Sequence, residues 1–213
     1  MERMDEESVP GITHLAEPRV TVYCASSSQA PAAYGEAAYR LGGLLSRAGY
    51  TVVYGGGGSG SMGRLADGAL DAGGHVVGIM PHFMRELEWA HPRVTEFVWT
   101  KDMAERKQRM LSVASAVVAL PGGSGTFEEL LEAITLKRLG SYLGPIVLLN
   151  QDRFYEPLQS MFARCVDERF MDVRHLDMWR MVDEVEAVVP AIEASPRWSA
   201  ESRAFANLGR PRG

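Results

Sequence analysis

Short apolar runs alternate with segments whose apolar positions recur every three to four residues, and this alternation organises most of the chain. Arg19 to Cys24, Thr51 to Tyr54, His75 to Met80, Thr95 to Thr100, Ala116 to Leu120 and Ile146 to Leu149 read as strands. Between them, Ala32 to Ala48 carries Tyr34, Ala37, Ala38, Leu41, Leu44 and Leu45 at helical spacing, closed by Gly49. Lys101 to Ala114 is a helix with Met103, Met110, Leu111 and Ala114 as its apolar stripe. Another helix continues from Phe127 through Leu130, Leu131 and Ile134. Phe154 to Val166 and Val182 to Ile192 are the last two predicted helices, with Pro190 marking a kink or an end. Such alternation predicts an α/β fold, a parallel sheet with helices on both faces. Ligands of such sheets bind at the carboxyl ends of the strands.

The totals narrow this picture. A length of 213 residues suits one domain, expected over 19–194, with a flexible tail over 1–18 and a frayed one over 195–213. The net charge of −5 comes from well-mixed acids and bases, which gives no nucleic-acid footprint. Cys24 and Cys165 lie far apart and outside any metal-ligand spacing, which suits a reducing cytoplasm. The first 18 residues contain no apolar core of a signal peptide, and no run is long enough to span a bilayer. A cytoplasmic protein without nucleic-acid or membrane partners is expected.

Three loops fall at predicted strand ends. Ala25-Ser26-Ser27-Ser28 is small and hydroxyl-rich, suited to a phosphate or to capping the next helix. Gly55 to Gly63 contains four consecutive glycines and, from Gly58, the pattern G-x-G-x-x-G. The next strand ends in Pro81-His82-Phe83 without the acid that a dinucleotide site uses for the ribose, so an NAD site is not expected. The third loop, Pro121-Gly122-Gly123-Ser124-Gly125-Thr126-Phe127-Glu128-Glu129, leads from a buried strand into a helix. Glycines let backbone N–H groups approach an anion, and a helix start adds unpaired donors and partial positive charge. Thr126 and Glu129 also have capping-box spacing, so a phosphate cradle backed by carboxylates and a simple helix cap both fit these residues.

Arg106 and Lys107 follow Met103 by three and four residues and flank the apolar stripe. Two cations there either snorkel to water or converge on an anionic ligand. His75, His82 and His91 show no metal spacing, and surface or hydrogen-bonding roles are expected for them.

Several of these segments together resemble one family. Pro121 to Glu129 fits P-G-G-x-G-T-x-x-E, and Met103 to Lys107 fits M-x-x-R-K. Tyr54 to Gly63 is similar to a Y-G-G-G stretch followed by M-G, Tyr23 to Ser27 to a first-strand loop, and Glu88 with His91 to an E-x-x-H loop. The family is LOG (Lonely guy), nucleoside 5′-monophosphate phosphoribohydrolases that activate cytokinins and were often labelled lysine decarboxylases. The resemblance runs from about Arg19 to Phe170. It implies a Rossmann-like three-layer fold and a homodimer. It also implies hydrolysis of a purine nucleoside monophosphate such as AMP, or of a cytokinin nucleotide, to free base and ribose 5-phosphate.

By the same resemblance Arg106 and Glu129 are catalytic. Gly122, Gly123, Ser124, Gly125, Thr126, Phe127 and Glu128 form the phosphate loop region, and Glu88, Lys107 and Thr135 contact substrate. Ala116, Leu136 and Ser61 depart from the Asp, Trp and Leu of many members. Glycosidic cleavage passes through an oxocarbenium-like state that a nearby carboxylate stabilises, and it needs neither metal nor cofactor. Lysine decarboxylation would need pyridoxal on a Schiff-base lysine, and none of Lys101, Lys107 and Lys137 has such a context. The alternative reading from another class is a non-catalytic nucleotide-binding module or carrier.

Overall fold

The chain's short apolar runs are buried on both sides, as central strands of a parallel sheet must be. The computed structural model describes residues 18–206 except 86, 88 and 89. The expected N-terminal tail therefore lies, apart from Pro18, outside the described residues. Among the described residues the strands are β1 (Arg19–Tyr23), β2 (Thr51–Tyr54), β3 (Val76–Pro81), β4 (Glu96–Thr100), β5 (Ala116–Ala119), β6 (Ile146–Leu149) and β7 (Arg180–Val182). They form one seven-stranded sheet in the order β4-β3-β2-β1-β5-β6-β7. Every neighbouring pair is parallel.

The helices are α1 (Ala32–Arg47), α2 (Gly60–Asp71), α3 (Met103–Ser112), α4 (Ser124–Arg138), α5 (Glu156–Asp167) and α6 (Val188–Ala194). Strand side chains alternate between two cores. Val20, Val22, Val52, Tyr54 and Val118 pack with Leu41 and Leu45 of α1, Leu65 of α2 and Val188 of α6. Tyr23, Val53, Ile79, Val117 and Ala119 pack with Met110 of α3 and Leu130 and Ile134 of α4. The three-layer arrangement matches the expected fold class.

The sheet is built outward in both directions from β1, so the carboxyl ends of β1 and β5 flank the topological switch point. Tyr23 is in register with Ala119, and the N–H of Leu120 donates to Tyr23 O at 2.9 Å. The hydroxyl-rich loop and the Pro-Gly-Gly loop thus emerge side by side.

One expectation needs correction. The helix expected over Val182–Ile192 begins as strand β7, continues through a 3-10 turn at Val185–Ala187 and becomes α6 only at Val188. β7 is three residues long at the sheet edge with Arg180 exposed, too short to show a period. Pro190 neither kinks nor ends α6. It sits in the first turn, where its missing N–H would have no intrahelical partner. Within the stretch expected to fray, Trp198 is attached to the domain. Its backbone N–H donates to Leu143 O at 2.9 Å, and its ring lies 5.8 Å from Lys137 Nζ.

Candidate active site

The start of α3 is fixed by its cap. The Asp102 side chain accepts the N–H of Glu105 at 2.8 Å, and Glu105 in turn accepts the N–H of Lys101 at 2.8 Å. This sets the helix phase so that Arg106, Met110 and Leu111 face inward. Arg106 is 4% exposed. Its Nε donates to Ile79 O at 3.1 Å, and its Nη1 lies 3.5 Å from Glu129 Oε1. Glu129, 5% exposed, comes from α4, which follows β5 in the chain and packs on the same face of the sheet as α3. One of the two readings of the Arg106 stripe is thereby decided, since the guanidinium turns inward to a carboxylate and does not snorkel.

The four-glycine loop makes this possible. A Cβ on Gly55 would lie 2.1 Å from Arg106 Nη2, so only glycine leaves room for the guanidinium. Tyr23 is buried close to the pair. Burial, reinforced by the Glu129 charge, holds its phenol well above the ordinary tyrosine range, so it stays protonated. Sequence reasoning treated Tyr23 as part of a strand and loop match and missed its proximity to Glu129. The only signal was its place at the end of β1.

The capping-box reading of Thr126 and Glu129 does not hold. α4 begins at Ser124 with Gly123 as N-cap and no side-chain cap bond. Thr126 is already the third helical residue and is tucked beneath Gly122, where a Cβ would lie 2.2 Å from its Oγ1. The helix start thus points the N–H groups of Ser124, Gly125 and Thr126 outward without intrahelical partners. Gly123, Ser124 and Gly125 are exposed. Nothing in the chain lies within 4 Å of a Cβ built on Gly123 or Gly125. Their φ values are not in the left-handed region. The fold itself makes no demand for glycine at these two positions. A ligand approaching the backbone would.

The remaining predicted residues divide. Phe127 stacks on Phe154 with centroids 6.1 Å apart and meets the Tyr155 ring edge-on. Tyr155 in turn donates its hydroxyl to Leu120 O at 2.7 Å, buttressing the strand end that carries the loop. Lys107 is tied to acids of α4. Its Nζ pairs with Glu128 at 2.7 Å and Glu132 at 3.1 Å. The Glu128 hydrogen bond, helped by Glu132, raises its ammonium above the usual range. Thr135 lies on an exposed part of α4, about 18 Å along the axis from Gly123, and does not reach the Arg106–Glu129 pair within one chain. Glu88 lies outside the described residues. Among the described residues, no group of three His, Cys, Asp or Glu is placed to hold a metal ion.

A buried carboxylate paired with a guanidinium stands one to two turns behind a helix start open to an anion. The rise from Ser124 to Glu129 is about 7.5 Å, a span that accommodates a ribose between a phosphate and the carboxylate. A family model described as "Possible lysine decarboxylase" matches residues 62–192. The cytokinin riboside 5′-monophosphate phosphoribohydrolase LOG of Oryza sativa subsp. japonica is 39% identical over 187 residues, spanning 84% of this chain and 77% of the relative. The chain belongs to the LOG family. Another LOG relative, the cytokinin riboside 5′-monophosphate phosphoribohydrolase of Rhodococcoides fascians, is 36% identical over 197 residues, with 90% of this chain and all of the relative covered (100%). The fold extends beyond the LOG family. The molybdenum cofactor carrier protein of Chlamydomonas reinhardtii superposes with a TM-score of 0.64 at 22% identity, covering 83% of this chain and 96% of that one.

Proposed function

We propose that this protein hydrolyses the N-glycosidic bond of a purine nucleoside 5′-monophosphate, giving free base and ribose 5-phosphate. The observation that carries this reading is the buried Arg106–Glu129 pair behind the uncapped start of α4. The phosphate sits on the N–H groups of Gly123 to Thr126. Glu129 supplies the negative charge that an oxocarbenium-like ribose calls for. Arg106, always charged, orients that carboxylate and is not a proton donor. Water completes the reaction at the anomeric carbon, and its second proton leaves with the base. AMP is the simplest substrate of this class, and cytokinin nucleotides are those in the names of the LOG relatives.

The active species is a homodimer in the cytoplasm, and the site lies near the subunit interface. Thr135 supports this, because on an exposed face of α4 it has Leu131 and Leu139 as neighbours at helical spacing, 39% and 43% exposed. The free cysteines Cys24 and Cys165 suit a reducing compartment. The single catalytic domain spans 19–194, with the segment around Trp198 docked on it.

The rival reading, a non-catalytic nucleotide carrier, has the likeness to a carrier fold on its side. A carrier has no use for a desolvated carboxylate–guanidinium pair beside its phosphate cradle. Incubation with AMP, followed by chromatography for adenine, tests the proposal. Tight AMP binding without adenine release would favour the carrier.

A further inference from the structure

The four-glycine loop forms the wall behind Arg106, yet it has no side chains with which to hold itself in place. Gly56 takes a φ of +83°, and a Cβ there would lie 2.9 Å from the Phe97 ring. Much of what fixes the loop comes from the connection between β3 and β4. The backbone N–H of His91 donates to Gly56 O at 3.1 Å. The adjacent Ala90 forms an isolated antiparallel bridge with Gly57.

The His91 ring is 5% exposed. Its Nδ1 accepts the N–H of Arg93 at 3.3 Å. The ring proton therefore sits on Nε2, which donates to Asp67 Oδ1 at 3.2 Å. Asp67 belongs to α2 and is also held by Arg93, whose Nη1 reaches Asp71 at 2.9 Å. Both ring nitrogens are thus used. A position that needed only volume would carry an apolar side chain, because a buried imidazole costs free energy unless its polar atoms are paired.

We propose that His91 is a positioning residue for the reaction, bracing the four-glycine loop between Asp67 of α2 and the Arg106 guanidinium. This rests on the reading of Arg106 and Glu129 as the reacting pair. Loss of the ring leaves the Ala90–Arg93 turn tied to α2 only through the half-exposed Arg93 side chain. The Gly56 and Gly57 contacts then loosen, and the wall behind Nη2 shifts. A displacement near 1 Å at a reacting group is enough to cost roughly 10²-fold in rate.

The test compares wild type, His91→Ala and His91→Gln. The Gln amide reaches the Nε2 position and can still donate to Asp67. Three quantities are measured: kcat and KM for AMP, thermal midpoint, and hydrogen exchange of the residue-91 amide. His91→Ala should lower kcat about 10- to 100-fold, leave KM within about twofold, and speed exchange at residue 91. His91→Gln should recover most of the rate. Wild-type kcat in His91→Ala overturns the proposal. So does an equal loss in both variants that tracks a fall in thermal midpoint, since that is a packing role. If wild type leaves AMP intact, the proposed reaction is what fails. Unchanged exchange at residue 91 in His91→Ala would then reject the brace separately.

Discussion

Arg106 Nη1 stands 3.5 Å from Glu129 Oε1 with both side chains almost fully withdrawn from water. A pair in that setting is costly to break, because removing one charge strands the other. Arg106 retains its bond to Ile79 O, which limits the damage. Glu129→Gln should therefore stay folded, with stability lowered by about 1.5–3 kcal/mol, while kcat falls by about 10²–10³-fold or more. Circular dichroism and steady-state kinetics on one preparation check both halves. A fully active Glu129→Gln protein would remove Glu129 from the chemistry.

Gly55→Ala places a methyl group 2.1 Å from Arg106 Nη2. The guanidinium has to move, and its geometry on Glu129 goes with it. The expected result is a kcat at least tenfold lower, and Arg106→Lys should be similarly impaired because a point charge does not replace a planar fork. Gly55→Ala with unchanged kcat would show that the guanidinium position is not critical.

Gly125→Ala separates a phosphate cradle from a plain helix start. There is room for the added Cβ and no left-handed φ to forbid it. Stability should hold or rise by up to ~1 kcal/mol through reduced unfolded-state entropy. The KM for AMP should nevertheless rise several-fold, because the methyl group stands where the phosphate approaches. An unchanged KM would mean that the glycine is incidental.

Adenosine lacks the group for which that helix start is built. A few charge-assisted bonds at ~1.5–3 kcal/mol each correspond to a preference of roughly a thousandfold for AMP in kcat/KM. Remote binding of this kind also holds the ribose against Glu129. Equal kcat/KM values for the two substrates would defeat the cradle reading.

Lys137 gives a pH signature. It is 3% exposed, its Nζ donates to Gly144 O at 2.7 Å, and burial lowers its pKa to about 8. The folded pKa lies below the unfolded value of ~10.4. Between these values the unfolded chain binds more protons, so Lys137's contribution to stability rises with pH across that window and its full cost is felt below pH 8. Denaturant melts of wild type and Lys137→Met at pH 7.5 and pH 10 should show the difference moving toward wild type by up to about 3 kcal/mol. A difference independent of pH would place the amine in a solvated setting.

The sequence disclosed most of the sheet and only part of the site. β1, β2, β5 and β6 were legible because central parallel strands are buried along their whole length and rich in β-branched and apolar residues. β7 was not, since Arg180 to Val182 is too short to carry a period and depends on β6 for its pairing. The place of Arg106 beside Met103 and Met110 left snorkelling and convergence equally open, and its inward turn shows only once Ile79 and Glu129 are in place. The partners of Lys107 were not legible either, because they depend on how α4 lies across α3. Spacing alone also made Thr126 and Glu129 look like a cap. The true helix start is three residues earlier, with Gly123 and not Thr126 as the N-cap, set by the glycine turn that leaves β5. Gly55 read as a nucleotide loop residue, and its service to Arg106 emerges only when β2 and α3 come together.

Arg106 and Glu129 belong to one continuous stretch, α3–β5–α4, and neither sits on a loop. Their geometry does not wait for a ligand to close around it. The Ala90–Arg93 turn is a separate part, attached to that rigid frame through Gly56, Gly57 and Asp67. A substitution in that turn reaches the chemistry at second hand, through the four-glycine loop, whereas one in the α3–β5–α4 stretch acts on the pair directly.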